Sequence, residues 1–426
     1  MSLSPKLLGV VALCGTLPVW SQTLTVRELV AKAEQTNQDV AAVRQRVEEE
    51  RGLLRQAGVR PAPTIDASGA TGRVLGTVGE EQFSAGLSKT LETGGKRSLR
   101  IEVAESKVAL ATAEYEERVR QLRFDLRLRY AEFAGESARL AVLARLIETL
   151  QQSLQLTRAR VERGDAAALE ANLILVDLSR AEAQRASIAA RLEAARTELS
   201  RLAGFTAGEE VVVDAAFLPP SRPPLRQELV SRALLERPDL KTMRLQERQG
   251  DAERRLAEAE GRANVTVSAS YSYVKSRVDD TFGLDGRGAP VPIRDRDDIL
   301  SVGVSIPLFS KNRNQGNIEA SVARTRGASL RKEFLEKSVP LEIEGALRRL
   351  TGAQNVLDVL NGTATTQAEA NLEVIRQAYQ LGQLRLFDVL TEQRRLLDTQ
   401  LARADATSEA LRSWAELERA VGGELQ

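Results

Sequence analysis

The chain contains no histidine, and its one cysteine is Cys14. A histidine-based triad, a thiol nucleophile or a Cys/His metal cage is thereby excluded or nearly so. Aromatic residues are scarce, at 4% of 426 positions, while Ala, Leu, Glu and Arg dominate. That balance belongs to long helices and coiled coils rather than to a compact enzyme core. No sign of charge prevails: Lys plus Arg is 60 against 59 for Asp plus Glu, a net charge of +1. Composition therefore gives no ground for a nucleic-acid partner. Proline is missing from Thr64 to Leu218, so nothing in that span forbids very long helices.

What is present begins with Lys6, the apolar run "LLGVVALCGTLPVW" and then "SQT". This order of charged, hydrophobic and small-residue regions predicts a secretory signal over 1–21, cleaved near Ser21. Cys14 sits inside that apolar run; the alternative is that it is a lipidation site. No other apolar stretch approaches the roughly 18 residues of a transmembrane helix.

The chain repeats itself. "LVAKAEQTNQDV" from Leu29 recurs as "LVSRALLERPDL" from Leu229, and "FSAGLSKTLETGGKRSLRIEVAES" from Phe83 recurs as "LSVGVSIPLFSKNRNQGNIEASVA" from Leu300. "RVERGDAAALEA" from Arg160 pairs with "AYQLGQLRLFDV" from Ala378, which sets Gly164 against Gly382. The offset grows by about seventeen residues, and the gain falls in Arg277 to Asp298, expected to be a long loop between two strands. The sequence thus divides into a first repeat over 22–204, a linker over 205–226 and a second repeat over 227–426.

Each repeat shows two periods. Val119, Leu126, Phe133, Leu140, Ile147, Leu154 and Val161 recur at sevens, the seam of a left-handed coiled coil. The expected helical hairpin spans 98–203, its first arm about 100 Å long at 1.5 Å per residue and closed by Gly164. The second hairpin spans 315–421, turns at Gly382, and is expected to kink at Pro340. An initial helical segment, Thr25–Arg60 in the first copy, precedes a strand pair in each repeat, at 64–76 and 82–92, then 264–276 and 298–309. In the strands apolar residues alternate with small polar ones: Val265, Val267, Ala269 and Tyr271 against Thr266, Ser268 and Ser270. Such alternation fits a half-buried soluble sheet or tilted membrane strands. Four strands cannot close a barrel in lipid, so membrane strands would require several copies of the chain.

"LETGGKRSLRI" from Leu91 has the look of a phosphate cradle but fails as one. A Walker loop needs Ser or Thr after Gly-Lys, where Arg97 stands, and a glycine at position 90, where Thr90 stands. The second copy lacks Gly-Gly-Lys altogether. Gly94, Gly95, Lys96 and Arg97 are expected to turn a strand into a helix, with Lys96, Arg97 and Arg100 near a membrane-water boundary, meeting lipid phosphates or neighbouring carboxylates. "GLDGRG" and "DRDD" lack the settings of a nucleotide or EF-hand site.

These features together resemble the TolC-like outer membrane efflux family, across essentially the whole mature chain. The "E-x-GGKR" stretch is similar to that of the outer membrane subunits of heavy-metal exporters of the cobalt-zinc-cadmium type. The resemblance implies a mainly α fold with membrane β strands: a homotrimer whose strands, four per chain, close one shared 12-stranded barrel in the outer membrane lipid, and whose helical hairpins wall a periplasmic tunnel. Transport through it is passive, without cofactor, resident metal or catalysis, and an inner membrane pump and a periplasmic adaptor are its partners. Carried over by position, Arg163-Gly164-Asp165 and Leu381-Gly382-Gln383 become periplasmic tips where an adaptor docks. Asp388 matches a carboxylate of a tunnel constriction, and Glu170 is its counterpart in the first copy. A second family aspartate falls on Thr391, which puts a double carboxylate ring in doubt. The competing reading is a periplasmic adaptor or structural coiled-coil protein with a soluble β domain.

Overall fold

The structure is a computed structural model and describes residues 24–75, 80–206, 212–214, 225–308 and 313–425. The expected signal segment with Cys14 and most of the expected linker lie outside the described residues.

Two helices open each half. In the first, α1 (Val26–Thr36) and α2 (Gln38–Ala57) are parted at Asn37, whose backbone is extended; in the second, α5 (Arg226–Glu236) and α6 (Pro238–Glu260) are parted at Arg237. Proline at the start of α6 pushes Arg237 out of the helical region, since its ring clashes with a helical predecessor. The single initial helical segment expected of the first repeat is thus a broken pair. The breaks are used: the Thr36 hydroxyl donates to the Ala203 carbonyl and the Asn37 amide to the Leu202 carbonyl, while Arg237 donates to the Ala420 carbonyl. Each accepting carbonyl ends a long helix and has no partner inside it.

Those long helices are α3 (Lys96–Glu162) and α4 (Ala168–Leu202), then α7 (Gln315–Val359), α8 (Thr365–Gln380) and α9 (Leu386–Val421). Pro340 lies within α7 and the helix continues through it. The interruption comes later, as a π turn over Leu360–Ala364 between α7 and α8, where the Thr365 hydroxyl donates to the Leu360 carbonyl at 2.6 Å. An extra residue in the helical ladder is the cause of such a turn.

Two compact units emerge, and each draws on both halves of the sequence. The helical unit comprises the described parts of 1–38, 122–223 and 346–418. There four of the seven seam residues of α3 are buried: Leu126, Phe133, Ile147 and Leu154 alternate with Leu122, Tyr130, Leu143 and Leu150, all under a tenth exposed, while Leu140 and Val161 are half-buried. Each of the large apolar side chains contributes about 1.5–3 kcal/mol relative to exposure. Arg127 pairs with Glu418 in the same unit, both largely buried.

The sheet-bearing unit comprises the described parts of 39–121, 224–345 and 419–426. Its antiparallel strands lie in the order β1 (Thr64–Thr71), β2 (Glu81–Leu91), β3 (Val265–Leu284), β4 (Pro290–Ser305). β1 and β4 are the open edges of this sheet. The expected loop from Arg277 to Asp298 is mostly strand: β3 and β4 continue past the first register, through an irregularity between Arg277 and Phe282, to a tight turn at Asp285–Ala289. The Asp285 carboxylate accepts from the backbone N–H groups of Arg287 and Ala289 and closes that turn. The inserted residues therefore lengthen a hairpin.

Candidate functional site

The helical unit holds the two turns. Gly164 (φ +80°) and Gly382 (φ +74°) are left-handed, the region that L side chains avoid. Asp165 N–H donates to the Arg160 carbonyl at 2.8 Å and Gln383 N–H to the Ala378 carbonyl at 2.9 Å. These are matching Schellman closures, one in each half. Nothing approaches a built Cβ at either glycine, so backbone conformation rather than crowding demands the residue. Arg163, Asp165, Leu381 and Gln383 are all exposed.

Glu170 and Asp388 occupy the same place, the third residue of α4 and of α9, but their side chains do different work. Asp388 is half-buried, and its carboxylate accepts from the Arg385 N–H at 3.0 Å, which satisfies an orphan donor at the start of α9. Negative charge is also favoured at that helix end. Glu170 instead accepts from the Tyr379 hydroxyl at 3.0 Å, and Arg160 donates to the same hydroxyl at 3.1 Å. The Arg160 guanidinium further stands 5.6 Å from the centre of the Tyr379 ring. One phenol from α8 thus ties α4 to α3. Burial, and then the hydrogen bond to Glu170, push the Tyr379 hydroxyl above its ordinary pKa.

Below this lies an apolar cluster of Ile147, Leu150, Leu154, Ile174, Leu178 and Leu386, with Tyr379 packed against its rim. Further along, Arg394 of α9 pairs with Asp177 of α4 at 2.8 Å. Thr391 spends its hydroxyl on the Phe387 carbonyl at 2.8 Å, so it contributes no charge beside Asp388. Glu170 and Asp388 share no hydrogen bond. Tyr379 and Arg160 were not singled out from sequence, although one signal existed: Tyr379 aligns with Val161, so a hydroxyl replaces an apolar seam residue.

The strand-to-helix turn belongs to the other unit. Gly94 and Gly95 are left-handed, and a Cβ on Gly94 would come within 2.9 Å of the Arg262 side chain. Lys96 begins α3 and turns inward: it is 7% exposed, donating to the Arg262 carbonyl and to the Asn264 side chain, each at 2.6 Å. Beside it the Thr93 hydroxyl donates to the Ala263 carbonyl. Arg97 donates to the Gly58 carbonyl at 2.7 Å, and Arg100 pairs with Glu92. Of the three cations expected to meet lipid phosphates or neighbouring carboxylates, Arg100 meets the Glu92 carboxylate and Arg97 alone is exposed. The turn is a clasp between the two halves of the chain.

Among the described residues, no group of His, Cys, Asp and Glu is arranged to hold a metal ion. Among the same described residues, no helix is long and apolar enough to cross a membrane. The sheet offers a different surface: Ile65, Phe83, Leu87, Leu300, Val302 and Val304 lie on one face, each at least half exposed. A face so apolar marks a membrane or a partner.

The sequence model described as outer membrane efflux protein matches residues 29–205 and, a second time, 229–423. The chain is 26% identical over 416 residues to the cobalt-zinc-cadmium resistance protein CzcC of Cupriavidus metallidurans, covering 94% of this chain and 90% of that protein. Among solved structures, CusC superposes with a TM-score of 0.72 at 18% identity, covering 94% of this chain and 92% of that one. The outer membrane protein VceC of Vibrio cholerae gives 0.70 at 20% identity, with coverages of 93% and 96%. Both likenesses establish the fold.

Proposed function

This chain belongs to the outer membrane efflux protein family, and we propose that it is one of three copies forming the exit duct of a tripartite efflux system. The observation that carries the trimer is the sheet: its exposed apolar face suits lipid, yet it ends in two open edges. Lipid does not tolerate unpaired backbone groups, and four strands are too few to close on themselves. Three copies, edge to edge, pair every strand. The strands then lie in the outer membrane and the helical hairpins wall a tunnel in the periplasm.

Conduction in this duct is passive, driven by an inner membrane pump joined through a periplasmic adaptor. The adaptor docks on the exposed turns at Arg163-Gly164-Asp165 and Leu381-Gly382-Gln383, where Leu381 adds an exposed apolar side chain. Asp388 and Glu170 narrow the periplasmic mouth, and the phenol of Tyr379 holds the first hairpin against the second. Heavy-metal cations are the cargo, a reading supported by the likeness to CzcC over nearly the full chain.

Two measurements test this. The detergent-extracted protein should run as a trimer and form ion-conducting pores in planar bilayers; a soluble monomer overturns the duct. A strain lacking the chain should lose resistance to cobalt, zinc or cadmium salts and regain it on complementation. Restored tolerance to organic toxicants alone would leave the duct standing and remove the metal cargo.

A further inference from the structure

The two faces of the sheet differ in charge as well as in hydropathy: the apolar face carries charges of both signs near its end, Glu81 and Asp298 beside Lys275 and Arg296, and the other face carries one sign. Strand register places Asp66, Gly86, Ser270 and Ser301 in one row across all four strands, on the face opposite the apolar one. In the neighbouring rows the hydroxyls satisfy one another: Thr64 with Ser88 at 2.6 Å, and Ser68 with Ser84 at 2.8 Å. The Asp66 carboxylate is exposed and has no ion pair among the described residues. Its cross-strand partner Gly86 adds no side chain to shield it, and a Cβ there would stand 3.0 Å from that of Ser270.

As far as the Ser276–Asp295 pair, the basic residues of the same strands turn the other way. By register Lys89, Lys275 and Arg296 fall on the apolar face, whereas the other ionisable side chains on the hydroxyl face, as far as the Ser276–Asp295 pair, are Asp295 and Asp297. The hydroxyl face therefore carries negative charge only. Asp66 is set apart from the other two, between rows of neutral hydroxyls.

We propose that Asp66 sets the ion preference of the membrane-spanning section, as an unscreened carboxylate in a hydroxyl-lined wall. The inference rests on the proposed function, in which the apolar face meets lipid and the hydroxyl face lines the lumen. Each copy then contributes one Asp66 at the same depth, and the ring concentrates cations and repels anions along the path. Selection for cations is thus built into the barrel, separately from the periplasmic mouth.

The test is the reversal potential of the full-length trimer in planar bilayers under a potassium chloride gradient. Asp66→Asn should lower the potassium-to-chloride permeability ratio about fivefold at low salt, with a smaller change at about 1 M, where charges are screened within about 3 Å. Asp66→Glu should keep the ratio. Lys89→Gln, on the opposite face, should leave it unchanged. Asp66→Ser, which copies the neighbouring hydroxyls, is the second variant if the Asn protein assembles poorly. Wild-type pores whose ratio survives both Asn and Ser remove Asp66 from selection and leave the duct intact. No pores from the wild-type trimer would overturn both readings together.

Discussion

At the scale of single residues, two side chains of the helical unit, Tyr379 and Asp388, separate by what they touch. Tyr379 is held through its hydroxyl, between Glu170 and Arg160, so Tyr379→Phe keeps the packing and removes only the tie. Single-channel conductance of the reconstituted trimer should rise, with thermal stability lowered by about 1 kcal/mol. An unchanged conductance would show that the phenol does not restrain the hairpins. The tie also has a pH signature. Because the folded-state pKa of Tyr379 is raised, its contribution is fully present below the ordinary tyrosine value near 10 and is lost as pH rises through the higher folded value. Conductance limited by this contact should stay level from about pH 6 to 9 and increase only at stronger alkalinity.

Asp388 calls for two substitutions because its carboxylate has two duties. Asp388→Ala removes both the charge and the acceptor for Arg385 N–H, costing about 0.5–2 kcal/mol, as other lost helix-start caps do. Asp388→Asn retains an acceptor there. If the charge narrows the mouth, both variants should weaken cation preference, and only the Ala variant should also lower the melting temperature. A fall in melting temperature alone would make Asp388 a helix-start residue and nothing more.

Among elements, the sequence disclosed those features whose causes are local. Gly164 and Gly382 announced both turns because a left-handed backbone needs glycine in any context, and the sevenfold recurrence in α3 announced its buried seam. The π turn after Val359 left no comparable mark in "LNGTA". The β3–β4 hairpin was hidden by its own composition: Gly283, Gly286, Gly288, Pro290 and Pro292 read as loop, yet only Asp285–Ala289 turns, and both prolines fall where β3 and β4 have run on beyond their register with the rest of the sheet. The partners of Lys96 are hidden for a different reason. Its acceptors lie 166 and 168 residues away, and no local pattern can indicate them. Lys96→Met should remove the donor to the Arg262 carbonyl and the Asn264 side chain, both only partly shielded from water, at about 0.5–1.5 kcal/mol per lost hydrogen bond. The assembled trimer should lose heat resistance in a gel-shift assay, while Arg97→Gln at the exposed neighbour should not.

For the whole molecule, the two open edges make the strongest demand. β1 and β4 sit at opposite sides of one sheet, so cysteines placed on facing positions of both should cross-link only between chains. A scan pairing positions 64–70 with 299–305 should yield covalent dimers and trimers on denaturing gels, in a background where Cys14 is replaced. Cross-links confined to monomers would mean that a single sheet curls on itself and that no shared barrel exists. The two compact units also predict unequal effects of core truncation. Leu150→Ala, in the helical unit, should cost about 2–5 kcal/mol there and leave strand pairing intact, as amide exchange of β2 and β3 would report.

The lengthened β3–β4 hairpin has a consequence for how a cell carrying this protein meets its surroundings. β2 leads into α3 and β3 follows α6, so the turn at Asp285–Ala289 lies at the strand ends away from those two junctions. With the strands in the outer membrane, that turn is the part held furthest into the medium. Antibodies, bacteriophages and surface proteases would encounter this loop first, and an epitope tag inserted at Gly286 would report export on intact cells.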